Sequence, residues 1–193
     1  MGSSGSWDQR SPCLRHEGRA GARLARGDDP AAGHRAGAED RLDGAEKLLR
    51  EAQAQQPHVA SISFNLGLLL AELGRPEEAE RQLRAALEDD SRMAPAAYNL
   101  AVLVGGRSPA NAVPLARRAV ELRPEDARYA WTLGLFQARS GDFPGAGETL
   151  EGLLRAHPEH DDARRLLAEI YARQGRTAEA GALLLKRTSP PAP

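Results

Sequence analysis

The sequence is poor in the residues that most often carry chemistry. It holds one cysteine, Cys13, so it can form neither a disulfide within the chain nor a thiolate metal cluster, and stability must come from packing. Aromatic residues make up only 4% of its 193 residues, too few for a core built on rings. Neither sign of charge dominates: 26 Lys and Arg stand against 27 Asp and Glu, which removes the global field that gathers nucleic acid or acidic membrane surfaces. No apolar run is long enough to cross a bilayer, and Met1 to Arg10 lacks the apolar centre of a secretory signal. Nucleic acid and membrane insertion are therefore not expected, and the default location is cytoplasmic.

Catalytic signatures are missing too. There is no Gly-rich phosphate loop ending in Lys-Ser/Thr, no nucleophile elbow and no Cys-x-x-Cys-His haem site. The one cluster of imidazoles and carboxylates, His157-Pro-Glu-His160-Asp-Asp162, could suggest a metal site. It falls at a turn with no helix to aim both rings at one ion, so it reads as a solvated turn. The expectation is a protein that is not an enzyme, with no catalytic residues, no metal and no cofactor.

From Leu42 onward Ala, Leu, Arg and Glu dominate, the composition of helices packed through small side chains. Before that, Met1 to Asp40 has almost no Val, Ile, Leu or Phe and no helical or strand period. It cannot bury enough apolar surface to offset about 1 to 2 kcal/mol of backbone ordering per residue. Residues 1–40 are expected to be a disordered arm, whose start, Met1-Gly-Ser-Ser-Gly-Ser6, has the composition of a vector-derived leader and whose remainder reads as translated upstream sequence. Residues 188–193, Thr-Ser-Pro-Pro-Ala-Pro, are expected to be a flexible tail.

Between these ends the chain repeats. Ala45, Ala79, Ala112, Ala146 and Ala180 stand 34, 33, 34 and 34 residues apart. Leu66, Leu100, Leu133 and Leu167 keep the same step, each followed by Gly or Ala, and Pro57, Ser91, Pro124 and Pro158 punctuate the ends. Within one period, Ile62, Leu66, Leu69, Leu70 and Leu73 make a single helical stripe. Gly74-Arg75 breaks it, Pro76 suits the first turn of a second helix, and Ala79, Leu83, Ala86 and Leu87 form that helix's inner stripe. Later units repeat the turn, with Asp142 and Thr177 placed to cap. Each period is a helical hairpin. Small residues (Gly67 with Ala79, Gly134 with Ala146) let its helices cross closely, and Leu83, Leu150 and Leu184 fill the space beside the crossings.

This pattern, Asn65-Leu66-Gly67, Gly74, Ala79, Ala86, then Tyr98-Asn99-Leu100, Ala119, Pro124, then Leu133-Gly134, Gly141, Ala146, Pro158, then Leu167-Ala168, Tyr171, Gly175, Ala180, resembles the tetratricopeptide repeat over about Asp40 to Arg187. The resemblance implies an all-α fold, a right-handed α-solenoid of stacked antiparallel hairpins. The expected domain is 41–187: a lone helix at 41–55, then repeats at 60–93, 94–126, 127–160 and 161–187. The second unit departs, being a residue short, with Gly105-Gly106-Arg107-Ser108-Pro109 in place of the usual turn and Pro114 beyond it. A helix starting near Asn111, after a longer loop, would leave Pro114 in its first turn. Leu153 and Gln137 also replace the usual residues of the third unit.

The resemblance further implies that the first helices line a concave face offered to ligands. The positions pointing into it would be Phe64, Tyr98, Trp131 and Arg165, with Leu68, Val102 and Leu135 one turn on. Such an aromatic and aliphatic stripe suits a protein or peptide partner. Alternatively, these rings replace the large residues missing at Ser63, Ala97 and Ala130 and belong to the core. Asn65 and Asn99 could bond an extended peptide backbone or stay bonded within the repeat. Some relatives grip a C-terminal carboxylate with a basic clamp; of the matching positions Phe64, Leu68, Asn99, Arg128 and Thr132, only Asn99 and Arg128 fit, so an extended or helical segment with apolar anchors is the better ligand. The expected function is a non-enzymatic adaptor or assembly scaffold. Two alternatives stay open: a self-associating structural module, because the solenoid ends are bare, and a regulatory fragment of a larger multidomain protein.

Overall fold

A computed structural model of the chain describes residues 30–185, with side chains from Arg41 onward. The chain divides into two units, Met1–Gly37 and Ala38–Pro193, and the fold below is that of the second. Among the described residues there are only helices: α1 (Pro30–Gln55), α2 (Ala60–Glu72), α3 (Pro76–Asp89), α4 (Ala94–Gly105), α5 (Pro109–Leu122), α6 (Ala127–Ser140), α7 (Phe143–Ala156), α8 (Asp161–Arg173) and α9 (Thr177–Leu185). Of the arm expected at 1–40, residues 1–29 lie outside the described residues, as do 186–193 with the expected tail. The helix expected from Arg41 already runs from Pro30. Proline fits a first helical turn, and the Ala, Arg and Glu that follow are helix formers without an apolar stripe to announce them.

Short turns fold α2 back on α3, α4 on α5, α6 on α7 and α8 on α9, and each hairpin packs on the next through α3 with α4, α5 with α6 and α7 with α8. In three of the hairpins the turn is made the same way. Gly74, Gly141 and Gly175 have φ of 72°, 90° and 79°, the left-handed region that side chains disfavour. The next residue's N–H then reaches back to a carbonyl of the finished helix: Arg75 to Leu70 at 2.9 Å, Asp142 to Gln137 at 2.9 Å and Arg176 to Tyr171 at 2.8 Å. Pro76 then opens α3. Asp142 caps α7 by accepting from the Gly145 N–H at 3.0 Å, whereas Thr177 is itself the first residue of α9 rather than its cap.

The second hairpin is built differently. Gly106 stays right-handed at φ −61°, and the Ser108 N–H bonds the Val104 carbonyl at 2.9 Å. Its second helix does not wait for Asn111: α5 begins at Pro109, so Pro114 lies inside it. The reason is register. Ala112, Ala116 and Ala119 are all at most 1% exposed and share one stripe only if the helix is already running at Ala112. Pro109 supplies the preset first turn. Pro114 faces solvent, so its cost reduces to the N–H it cannot give to Ala110.

The alanine column is internal: Ala79, Ala112 and Ala146 are 0% exposed, Ala180 is 7% exposed, and Ala45 is half-buried. The leucines of the second column are buried beside it, with Leu83 and Leu150. A Cβ at Gly67 would lie 2.9 Å from Leu83 Cγ and 3.3 Å from the Ala79 carbonyl oxygen, so that crossing needs glycine. In the third hairpin the residue against Gly134 is Leu150, also 2.9 Å from a Cβ built there. Leu184 breaks the pattern. Assigned to the core by its spacing, it is 52% exposed, because among the described residues no helix follows α9 to cover it.

The joints between tiers are of two kinds. Arg75, at the first turn, reaches Glu46 of α1 at 2.7 Å and Glu78 of α3 at 2.6 Å. Arg107, at the second, pairs with Glu77 at 3.3 Å and with Glu80, both on α3. At the third turn Asp142 stands in the arginine's place and Val113 in the glutamate's. There the joint is apolar, with Leu133 and Phe136 of α6 set against Ala101, Ala112 and Ala116.

Candidate functional site

The first helices of successive hairpins converge: α6 touches both α4 and α8, while α5 makes no comparable contact with α3 or α7. From α4 to α8 the stack therefore closes towards its first helices. Positions i and i+4 of a helix lie on one side, as do Phe64 and Leu68 on α2, Tyr98 and Val102 on α4, and Trp131 and Leu135 on α6. All six are half-buried.

Each ring keeps one side against protein. Phe64 packs on the cluster of Leu83, Leu100 and Val104. Tyr98 stacks on Tyr129 with centroids 4.8 Å apart and planes at 28°, and Tyr129 is only 2% exposed. Trp131 leans on the cluster that contains Leu150, Leu166 and Leu167 and stands 5.4 Å from the His160 ring. The rings thus complete the walls between tiers and stay half-buried. The sequence does not single out Tyr129, and it offers His160 only as part of a solvated turn. Tyr129 follows an exposed arginine and has no column of its own; burial pushes its hydroxyl above the usual tyrosine range. His160 is recognisable only once α8 is placed, because its Nδ1 accepts the Ala163 N–H at 3.2 Å and so caps that helix. Among the described residues no group of His, Cys, Asp and Glu could hold a metal ion.

The polar positions separate. Asn99 donates from Nδ2 to the Pro95 carbonyl at 2.8 Å, so it serves its own helix. Asn65 is exposed. Arg128 holds Asp126 through Nε at 3.0 Å and Nη2 at 2.7 Å, and that guanidinium keeps the Asp126 carboxyl below the usual carboxylate range. Arg165 pairs with Asp162 at 2.9 Å, and Arg173 with Glu169 at 3.2 Å. The positions one turn apart are therefore apolar on α2, α4 and α6 and charged on α8. Thr132, a clamp position in some relatives, is buried at 7% exposure.

Two family models, both described as tetratricopeptide repeat, match the chain, one over residues 38–103 and the other over 100–153 and 138–193. No curated protein matches the sequence. Solved structures of low identity share the fold. MamA is 23% identical with a TM-score of 0.71, over 77% of this chain and 88% of that one. A form of MamA from Desulfovibrio magneticus RS-1, residue 41 to the end, is 19% identical with a TM-score of 0.69, over 81% and 89%. YrrB, described as a TPR protein with an unusual peptide-binding site, is 22% identical with a TM-score of 0.70, over 78% of each chain.

Proposed function

Because this chain belongs to the tetratricopeptide repeat family, we propose that it is a non-enzymatic adaptor that holds a partner's peptide or helix on the inner face of its hairpin stack. The observation that carries this reading is the run of six half-buried apolar side chains from Phe64 to Leu135, continuous over three hairpins. Packing already fixes one side of each ring, so little rotamer entropy is lost when a ligand covers the other. The peptide-binding site ascribed to YrrB supports the same use of the fold.

The test is to select 12-residue peptides from a random phage library on the full chain and to measure each by fluorescence anisotropy. Replacing Tyr98 and Trp131 together by alanine is expected to weaken binding by on the order of 30-fold or more, as for paired aromatic anchors. Both rings also pack inward, so Asn65→Arg, at an exposed position, provides a block that leaves the core untouched. Peptides that bind all three forms equally would refute the inner face as the site.

A second reading is self-association through the ends of the stack. Among the described residues the exposed large apolar side chains are Leu48 at 67%, Leu184 at 52% and Leu185 at 86%. They lie on α1 and α9, the outermost helices. Joining α9 of one copy to α1 of another would cover all three in a head-to-tail contact. Sedimentation velocity should then show mass rising with concentration, and Leu184→Ser with Leu185→Ser should return the monomer. A concentration-independent monomer would exclude it.

A further inference from the structure

Among the described residues, one cation beside Leu135 is left without a partner by the fold. Arg128, Trp131, Leu135 and Arg139 stand at i, i+3, i+7 and i+11 of α6, so they run along one side of that helix. Of the arginines on this face of α6 and α8, Arg128 is bound to Asp126, Arg165 to Asp162 and Arg173 to Glu169. Arg139, half-buried in the last turn of α6, has no hydrogen bond or ion pair among the described residues. The carbonyl end of α6 favours a positive charge there but leaves the guanidinium's donors open. A planar guanidinium of this kind pairs best with a carboxylate, through two parallel hydrogen bonds.

Building on the groove reading above, we propose that the bound segment carries an aspartate or glutamate that pairs with Arg139, beside the apolar residue that packs against Leu135. The spacing follows from α6. Leu135 and Arg139 are one turn apart, about 6 Å along the axis. The acidic residue therefore lies three or four positions from the apolar anchor in a helical ligand, or two positions from it in an extended one, where each residue rises about 3.3 Å. Acidic neighbours on this face do not compete, since Asp126, Asp162 and Glu169 are already paired.

The experiment repeats the 12-residue phage selection on the full chain and on Arg139→Glu. Peptides selected on the unmodified protein should share an acidic residue at that distance from an apolar one and bind Arg139→Glu on the order of 10-fold more weakly or worse. Selection on Arg139→Glu should instead enrich Lys or Arg at the same place. Because Arg139 makes no bond within the fold, the thermal midpoint should fall only by the small cost of a negative charge at the carbonyl end of α6. Arg139→Gln, which removes the charge without reversing it, should give an intermediate loss. Peptides that need Tyr98 and Trp131 but show no acidic preference, and bind Arg139→Glu equally well, would overturn this inference and leave the groove standing. Peptides indifferent to Tyr98 and Trp131, or no enrichment at all, would overturn both.

Discussion

Replacing Gly105 by leucine is expected to cost about 3 kcal/mol of stability, the upper end for overpacking a filled core. A Cβ at Gly105 would lie 2.2 Å from Phe136 Cζ and 2.4 Å from Cε1, closer than atoms can approach. The ring has nowhere to go, being 5% exposed and held among Ala101, Ala112, Ala116 and Leu133. Urea unfolding monitored by circular dichroism would measure the loss. Phe136→Ala alone should cost about 3 to 5 kcal/mol through the cavity it leaves. Combined with Gly105→Leu, the new side chain would refill that cavity, and the double variant should be more stable than the sum of the singles by at least about 1 kcal/mol. Strict additivity would refute the contact.

Leu150→Ala should cost about 2 to 5 kcal/mol. Leu150 is 0% exposed, and its Cγ fills the space that Gly134 opens at the crossing of α6 and α7. Alanine leaves a hole bounded by two helices that glycine has already brought as close as they can come, so little collapse is available. The matched control is Leu184→Ala. It occupies the same column of the repeat, yet at 52% exposure it should change stability by less than about 0.5 kcal/mol. Equal effects at the two positions would mean that α9 is covered by something, which the self-association reading would supply.

That pair also shows where sequence reasoning stops. Spacing alone makes Leu83, Leu150 and Leu184 equivalent, because a column records the position within a hairpin and not whether another hairpin follows. The columns of Ala79, Ala112 and Ala146 and of Leu66, Leu100 and Leu133 were legible because close crossings demand small residues at a fixed period. The glycine turns were legible for a similar reason: only glycine relaxes at positive φ. What failed was local arithmetic against global register. Pro114 argued for a late start to α5, but the buried stripe of Ala112, Ala116 and Ala119 outweighed one missing hydrogen bond at the surface. The period picks out Phe64, Tyr98 and Trp131, while the partners Tyr129 and His160 belong to the next hairpin or its cap and emerge only from packing. Asn99, legible as a polar group near the stripe, turns inward to Pro95, a choice that nothing in the residue type decides. Arg139 is not legible in the sequence, because an arginine near a helix end looks like any other until its neighbours' carboxylates are placed.

The two kinds of joint give the rack an uneven compliance. Where Arg75 and Arg107 grip glutamates of the preceding helix, dissolved salt weakens the grip, so that half softens as ionic strength rises. The joint where Phe136 seats on Gly105 contains no charge to screen and keeps its stiffness. Added salt is therefore expected to act on the first two joints and not on the third, which is the one that α6, with Trp131, Leu135 and Arg139, helps to form.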